Sequence, residues 1–329
     1  MRGREVLVNL IHSQEALHAG FGGVVPEVAA RAHLEKLPGL IEAALERTGT
    51  QPADIDLLAV TRGPGLIGCL LVGTGLAEGL AAAWDKPLAG VNHLWGHVYA
   101  ALLAQPDLEP PLLALVVSGA HSDLVWMPRH GEFEVLGRTR DDAAGEAFDK
   151  AARMLGLGYP GGPALDRLAR TGDPARQVLP VPALPGLEYS FSGLKTALLY
   201  RLRDLGQPLQ GGRGGGPPNP SGVPAKSLDF VGAQDRADLA AAFERSVVES
   251  LLAKLHAAIQ ARGPREVVVC GGVAANTLLR RRAAEVVGDR ARLTIPPLDL
   301  CTDNAAMIAA AAGLSPVRAA AAADPALNW

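Results

Sequence analysis

Two spacings of apolar residues alternate along the chain, and glycine clusters separate them. Short apolar runs at REVLVNLI (4–11), DIDLLAVTRG (54–63), KPLAGV (86–91) and EVVVC (266–270) predict strands. LLALVVSGAHSDLVWM (112–127) is apolar on both sides of a Ser-Gly-Ala-His break, so it predicts a hairpin, and EFEVLGRTR (132–140) adds a further strand. Helical spacing marks 30–49, stopped by Gly49, as well as 70–84 and 237–263. A strand, the turn Gly271-Gly272 and a helix over 273–288 follow one another near the carboxyl end. LCTDNAAMIAAAAGL (300–314) predicts a last helix capped near Thr302 or Asp303. This alternation implies α/β layers, with the Pro-rich break AQPDLEPP (104–111) marking a lobe boundary.

Composition narrows the class. The chain has 329 residues, longer than one ordinary core, and its 48 % hydrophobic content is that of a globular protein. Aromatics are only 4 %, which leaves Ala, Leu and Val to fill the core. A net charge of -3 excludes a uniformly basic coat, so any nucleic acid must meet a local patch or a partner protein. LLRRRAAEVVGDRAR offers Arg280, Arg281, Arg282, Arg290 and Arg292 as such a patch, although arginines along one helix are more often a solvated face. Cys69, Cys270 and Cys301 form no CxxC pair and read as reduced thiols. Neither a signal peptide's core nor a spanning stretch of about 20 apolar residues is expected, so the reading is a cytoplasmic protein without a membrane partner. Residues 206–227 are low-complexity Gly/Pro sequence, expected to form a mobile loop without chemistry.

Candidate chemistry lies at the turns. Val116–Ser122, Gly158–Asp166 and Cys270–Asn276 are glycine-containing turns of the kind that bring backbone N–H groups onto a phosphate. None matches a P-loop or dinucleotide fingerprint, but together they point to a nucleotide held by several short loops. DDAAGEAFDKAARMLG (141–156) sets Asp141, Asp142, Glu146 and Asp149 beside the second turn. VNHLWGHVYA (91–100) places His93 and His97 four apart, so that one helical face could aim both imidazoles at one ion.

The segments DDAAGEAFDKAARMLGLGYPGGPALD, YSFSGLKTALL, VVVCGGVAANTLLR and LCTDNAAMIAAAA resemble the tRNA threonylcarbamoyltransferase family, called TsaD in bacteria, over about residues 4 to 313. The resemblance implies an α/β fold of the actin, Hsp70 and sugar-kinase kind, two ribonuclease H-like lobes around a nucleotide cleft. It also implies an acyl transfer, from threonylcarbamoyl-AMP to N6 of the adenosine beside the anticodon (position 37) in tRNAs reading codons that begin with A. Lobe I is then expected over 1–108, lobe II over 109–297, and a segment returning to lobe I over 298–329. His93, His97 and Asp303 would ligate one divalent metal, Fe(2+) or else zinc. Two imidazoles and a carboxylate suit these ions better than magnesium.

For the adenylate, the resemblance implies Val116, Val117, Ser118, Gly119 and Ala120 at the phosphate, with Asp149, Gly162, Asp166 and Asn276 around the nucleoside. Ser192 and Lys195 are candidates for the cleft wall, and no general base is evident. A paralogous TsaB-like subunit and a small TsaE-like ATPase are the implied partners. Three departures stand out. About twenty residues that carry the family's first hairpin are missing before this start, and the expected cause is a misassigned start, with a real loss as the alternative. Ala120 replaces a second glycine, and Trp95 stands where glutamate is common. A kinase or ATPase of the same superfold, a catalytically impaired scaffold and a metalloprotease are the rival readings; the last lacks the HExxH glutamate.

Overall fold

The computed structural model describes residues 1–206, 231–315 and 322–327. Its amino-terminal part carries the short helix α1 (Glu15–Ala19) and the long helix α2 (Pro26–Thr48). Pro26 opens α2 at its first turn, and Gly49 closes it in the left-handed conformation at φ 64°. Strand β1 (Leu58–Gly63), helix α3 (Ile67–Trp84) and strand β2 (Leu88–Asn92) follow as a parallel pair with a helical crossover, in register Leu58 with Leu88. Helix α4 (His93–Ala104) starts where β2 ends. By length and composition α3 is apolar enough to cross a membrane, contrary to expectation; in the structure it packs against α2 and β1.

The second sheet begins with β3 (Leu112–Val117), β4 (Ser122–Arg129) and β5 (Glu132–Arg138), two antiparallel pairings in sequence. Helices α5 (Ala144–Met154), α6 (Gly161–Ala169), α7 (Ser192–Gly206) and α8 (Ala233–Arg262) precede β6 (Glu266–Cys270), which joins β3 in parallel. Helix α9 (Thr277–Val287) and strand β7 (Arg292–Thr294) complete the order β5-β4-β3-β6-β7. The short α10 (Leu298–Cys301) and α11 (Ala305–Leu314) carry the chain back onto α4, β1 and β2.

Strand β3 explains how the layers meet. All six of its residues are buried, as a central strand covered on both faces requires. Side chains alternate across a strand, so Leu113, Leu115 and Val117 enter the core beneath α5 and α8. Leu112, Ala114 and Val116 enter the second core, with α4 and α11.

Two expectations are corrected. Residues 6–10 form no strand, and near them only an isolated bridge joins Arg2 to Glu5. A strand exists only where a neighbour takes its backbone groups, and no described segment does so for this run. The last helix begins at Ala305, not near Thr302 or Asp303, because Asn304 is the residue whose side chain accepts from Met307 N at 2.9 Å. Most of the 206–227 loop lies outside the described residues.

Asparagine caps three helices among the described residues. Asn92 accepts from Leu94 N, Asn276 from Leu279 N and Asn304 from Met307 N. Replacing Asn304 by alanine is expected to lower unfolding stability by about 1 kcal/mol, read from denaturant midpoints. No change in midpoint would mean that the cap is redundant.

Candidate metal and nucleotide site

The capped start of α4 places His93 and His97 one helical turn apart, with ring centroids 4.8 Å from each other. Gly96 between them lets α4 and α11 pack closely: a Cβ there would lie 2.8 Å from Ile308 Cδ1 and 3.1 Å from Met307 Cγ, so those side chains would have to shift. This contact of α4 with α11 brings Asp303 to the histidines. Trp95 stacks on Phe133, with centroids 4.9 Å apart, and serves packing.

Asp303 Oδ1 lies 3.4 Å from Nε2 of both His93 and His97. That distance is too long for a well-formed hydrogen bond, and both ring nitrogens of the wholly buried His97 lack a hydrogen-bond partner. Buried donors and acceptors are rarely left so, and a cation among the three groups would take the Nε2 lone pair that faces Asp303. Ligand bonds of about 2.1 Å in tetrahedral geometry put ligand atoms about 3.4 Å apart, the spacing seen here between Asp303 and each imidazole. Burial lowers the His97 pKa, against the pull of Asp303, and favours the neutral ring that ligates. On His93 burial acts the same way, but Asp303 outweighs it and raises the pKa. The Asp303 side chain is 76 % exposed, so the cluster is open on one side.

A cavity of about 430 Å³ lies between α5, α6 and the turns after β3 and β6. Of the predicted nucleotide residues, Gly119, Asp149, Gly162, Asp166 and Asn276 line it. Asp149 Oδ1 accepts from Gly161 N at 2.9 Å and Gly162 N at 3.2 Å, fixing the start of α6 against α5. Burial raises the Asp149 pKa, and these two bonds oppose it. Val116, Val117, Ser118 and Ala120 do not line the cavity. Strand β3 runs through Val117, pairing it with Ser122, and Val116 is flanked by both Asp123 and Cys270. Ser118 is spent on the turn: its N donates to His121 O, and its hydroxyl accepts from His121 N. Ala120 has no positive φ, so the missing second glycine costs no strain.

The same turn connects the two features. Gly119 faces the cavity, while His121 sits beside the histidine cluster. Burial lowers the His121 pKa, Asp123 opposes, and His93, His97 and Arg138 add to the lowering.

Ser192 and Lys195 fall outside the cavity. The acidic stretch explains why. Asp141 accepts from Ser190 Oγ, Phe191 N, Ser192 N and Ser192 Oγ, which makes it the anchor of α7. Asp142 pairs with Lys150 at 2.7 Å and Lys195 at 3.4 Å, and Glu146 pairs with Lys150 at 2.8 Å. Only Asp149 of the four acids reaches the cavity. The arginine patch is likewise largely consumed. Arg280 donates to Ala274 O and Pro296 O, Arg282 pairs with Glu249 and Glu285, Arg290 donates to Val286 O, and Arg292 pairs with Asp107 and Glu266.

Sequence reasoning missed Glu244, Arg167 and Arg170. The two arginines line the cavity, and Arg170 pairs with Asp166. Glu244 touches Asn276 at 2.6 Å from within α8. Its signal was a carboxylate on the apolar face of a helix, in step with Ala240, Val247, Val248 and Leu251.

The layered architecture belongs to the actin, Hsp70 and sugar-kinase-like superfold. HypF from T. kodakarensis superposes with a TM-score of 0.58 at 14 % identity, covering 82 % of this chain and 43 % of HypF, a likeness of fold alone. A full-length HypF in a phosphate- and nucleotide-bound form superposes equally well, over 84 % of this chain and 40 % of that one. Within that class the chain is a member of the TsaD family, tRNA N6-adenosine threonylcarbamoyltransferase, whose model matches residues 5–310. Relatives bearing that name include those of Symbiobacterium thermophilum, 50 % identical over 94 % of this chain and 84 % of the relative. Those of Gloeobacter violaceus and Bordetella pertussis are 48 % and 47 % identical, each over 94 % of this chain and over 84 % and 85 % of the relative.

Proposed function

We propose that this chain transfers the threonylcarbamoyl group of threonylcarbamoyl-AMP to N6 of adenosine 37 in tRNAs reading ANN codons. Membership of the TsaD family over nearly the whole chain carries this reading. In the reaction the adenosine amine attacks the carbamoyl carbon. An N–C bond forms, the C–O bond to phosphate breaks, AMP leaves and the amine proton passes to solvent.

The chain's own groups support the parts of that step. The cavity floor of Asp166 and Asn276, with Asp149 on its wall, would hold the nucleoside of the adenylate. Gly119, on the turn beside His121, would bring backbone to the phosphate end and so orient the acyl group toward the histidine cluster. His93, His97 and Asp303 would hold one divalent ion, iron(II) by preference and zinc as the second choice. Bound there, the metal supplies Lewis-acid polarisation of a carbamoyl or phosphate oxygen. A covalent thiol intermediate fits poorly: Cys270 is fully buried and burial raises its pKa, as it does for Cys301, so neither is a ready thiolate.

The lobe division at 108 and 297 is supported by the return of α11 onto α4, β1 and β2. A paralogous TsaB-like subunit would cover exposed apolar residues of α2 and α3, among them Leu34 and Leu71 at 66 % and 58 % exposure. A TsaE-like ATPase completes the assembly, and acting on tRNA, the enzyme would work in the cytoplasm. With most of the α9 arginines paired inside the protein, part of the tRNA contact would fall to these partners.

The test is reconstitution with threonylcarbamoyl-AMP, tRNA and both partners, reading the mass of the nucleoside beside the anticodon. Threonylcarbamoyladenosine is the expected product; ATP turnover without tRNA modification would instead point to a kinase or ATPase.

A further inference from the structure

We propose that Glu244 is a positioning residue of the nucleotide cavity: as a neutral carboxylic acid it holds the Asn276 amide and the Asp166 carboxylate in the arrangement that admits the adenylate. The inference rests on reading this cavity as the adenylate site.

Both N–H groups of the Asn276 amide are committed inside the protein, and only one lone pair of its Oδ1 is left for a ligand. Its Oδ1 accepts from Leu279 N at 2.8 Å, and its Nδ2 donates to Glu244 Oε1 at 2.6 Å and to Asp166 Oδ1 at 3.2 Å. One amide therefore bridges two carboxyl groups, both buried, at 5 % and 7 % exposure. Two negative charges so placed do not coexist comfortably, and one group keeps a proton.

Hydrogen bonding decides which. Asp166 also accepts from Thr277 N at 3.1 Å, from Thr277 Oγ1 at 2.6 Å and from the Arg170 guanidinium, a donor set that holds a carboxylate ionised. Glu244 has the single Asn276 donor. Burial is the main force raising the Glu244 pKa. The Asn276 bond and the Arg170 charge oppose it, Asp166 reinforces it by charge and hydrogen bonding, and the carboxyl is pushed up to about 8. On Asp166 burial also raises the pKa, but its donors outweigh burial and the net shift is downward. The charged groups acting on Glu244 are Asp166 of α6 and Arg170 just after it; the start of α9 presents the uncharged cap Asn276 and Thr277. Neighbouring Phe243 packs edge-on against Phe148 of α5, a cavity-lining residue.

The neutral acid thus completes a floor whose net charge is set by Asp166 and Arg170. Ionisation of Glu244 puts a second negative charge against Asp166 and under an anionic ligand. Adenylate affinity therefore falls as pH rises past about 8. Stability has the same sign. The folded-state pKa lies above the ordinary value of 4.5, so this group's contribution is fully present below 4.5 and is lost as pH rises through about 8.

The experiment is AMP binding by calorimetry to the metal-loaded chain on either side of pH 8. A phosphate monoester completes its ionisation near pH 6, below this window. Wild type is expected to lose affinity above the transition. Glu244→Gln keeps a hydrogen-bond acceptor for Asn276 and a donor for Asp166 without a titrating proton. It is expected to match wild type below pH 8 and stay flat above it. Glu244→Ala strips the Asn276 amide of its partner and should weaken AMP about tenfold, and raise KM for threonylcarbamoyl-AMP as much, with kcat unchanged. Without ligand, the infrared difference spectrum of wild type against Glu244→Gln should show a carboxylic-acid carbonyl band at neutral pH that fades above pH 8. Absence of that band, or an alkaline weakening retained by Glu244→Gln, overturns the inference. A chain that shows the band but binds no AMP at any pH overturns the adenylate assignment of the cavity, and the positioning role with it.

Discussion

Asp303→Ala is expected to strip the chain of its metal and to reduce threonylcarbamoyl transfer by on the order of a thousandfold, the equivalent of about 4 kcal/mol of lost transition-state stabilisation. The reason lies in charge and position. Asp303 supplies the one anionic ligand of the cluster, and the remaining imidazoles are both on α4. Without the carboxylate, an ion would have two neutral donors from one helix and nothing from the link between α10 and α11 to hold it. The residue is an unusually clean target, because its side chain is 76 % exposed and the cap of α11 belongs to the next residue, Asn304. Folding should therefore survive the change. Metal content by atomic spectroscopy, product by nucleoside mass and the unfolding midpoint of the metal-free chain separate the effects. A variant that keeps its metal and its activity would sink the assignment. One that loses its midpoint as well would show Asp303 to be structural.

Gly145→Ala should cost about 1–3 kcal/mol of stability by overpacking and about a hundredfold in kcat/KM by displacing the site. Gly145 lies in the first turn of α5, and its N–H donates to Ser118 O at 3.2 Å. An added Cβ would lie 2.5 Å from Ser118 O and 2.8 Å from Gly119 Cα. Backbone atoms, unlike the tip of a flexible side chain, have no rotamer into which to retreat. The turn must move, and with it Gly119 on the cavity and His121 beside the histidine cluster. Gly79 of α3 is the control: it lies away from the cavity, and a Cβ there meets nothing within 4 Å. Thermal midpoints and kcat/KM for threonylcarbamoyl-AMP of Gly145→Ala and Gly79→Ala make the comparison. If Gly145→Ala kept its kcat/KM, the turn after β3 would have no part in the site.

Much of the fold was legible because its causes are local. Apolar runs marked β3 and β4 and period-3.6 spacing marked α2 and α8, glycine in the left-handed conformation ended α2, and the Ser-Gly-Ala-His break became the turn between β3 and β4. The spacing of His93 and His97 was equally local, since a helix sets it whatever surrounds it. The family resemblance added Asp303, which no spacing could place. Residues 4–11 had the pattern of a strand, yet 6–10 pair with no described segment, and pairing is not a property of a single segment.

What the sequence by itself determined, then, is the set of elements, their apolar faces and which side chains can act as ligands, because these depend on neighbours within a few residues. Only the tertiary structure decided how those side chains are spent. Asp141 is committed to Ser192, 51 positions away, Arg292 to Asp107, 185 away, and Asn276 to Glu244, 32 away. A polar group buried by packing must find a partner wherever the fold brings one, and that search, across sheets and between helices, separates Asp149 at the cavity from three similar acids that merely hold the chain together.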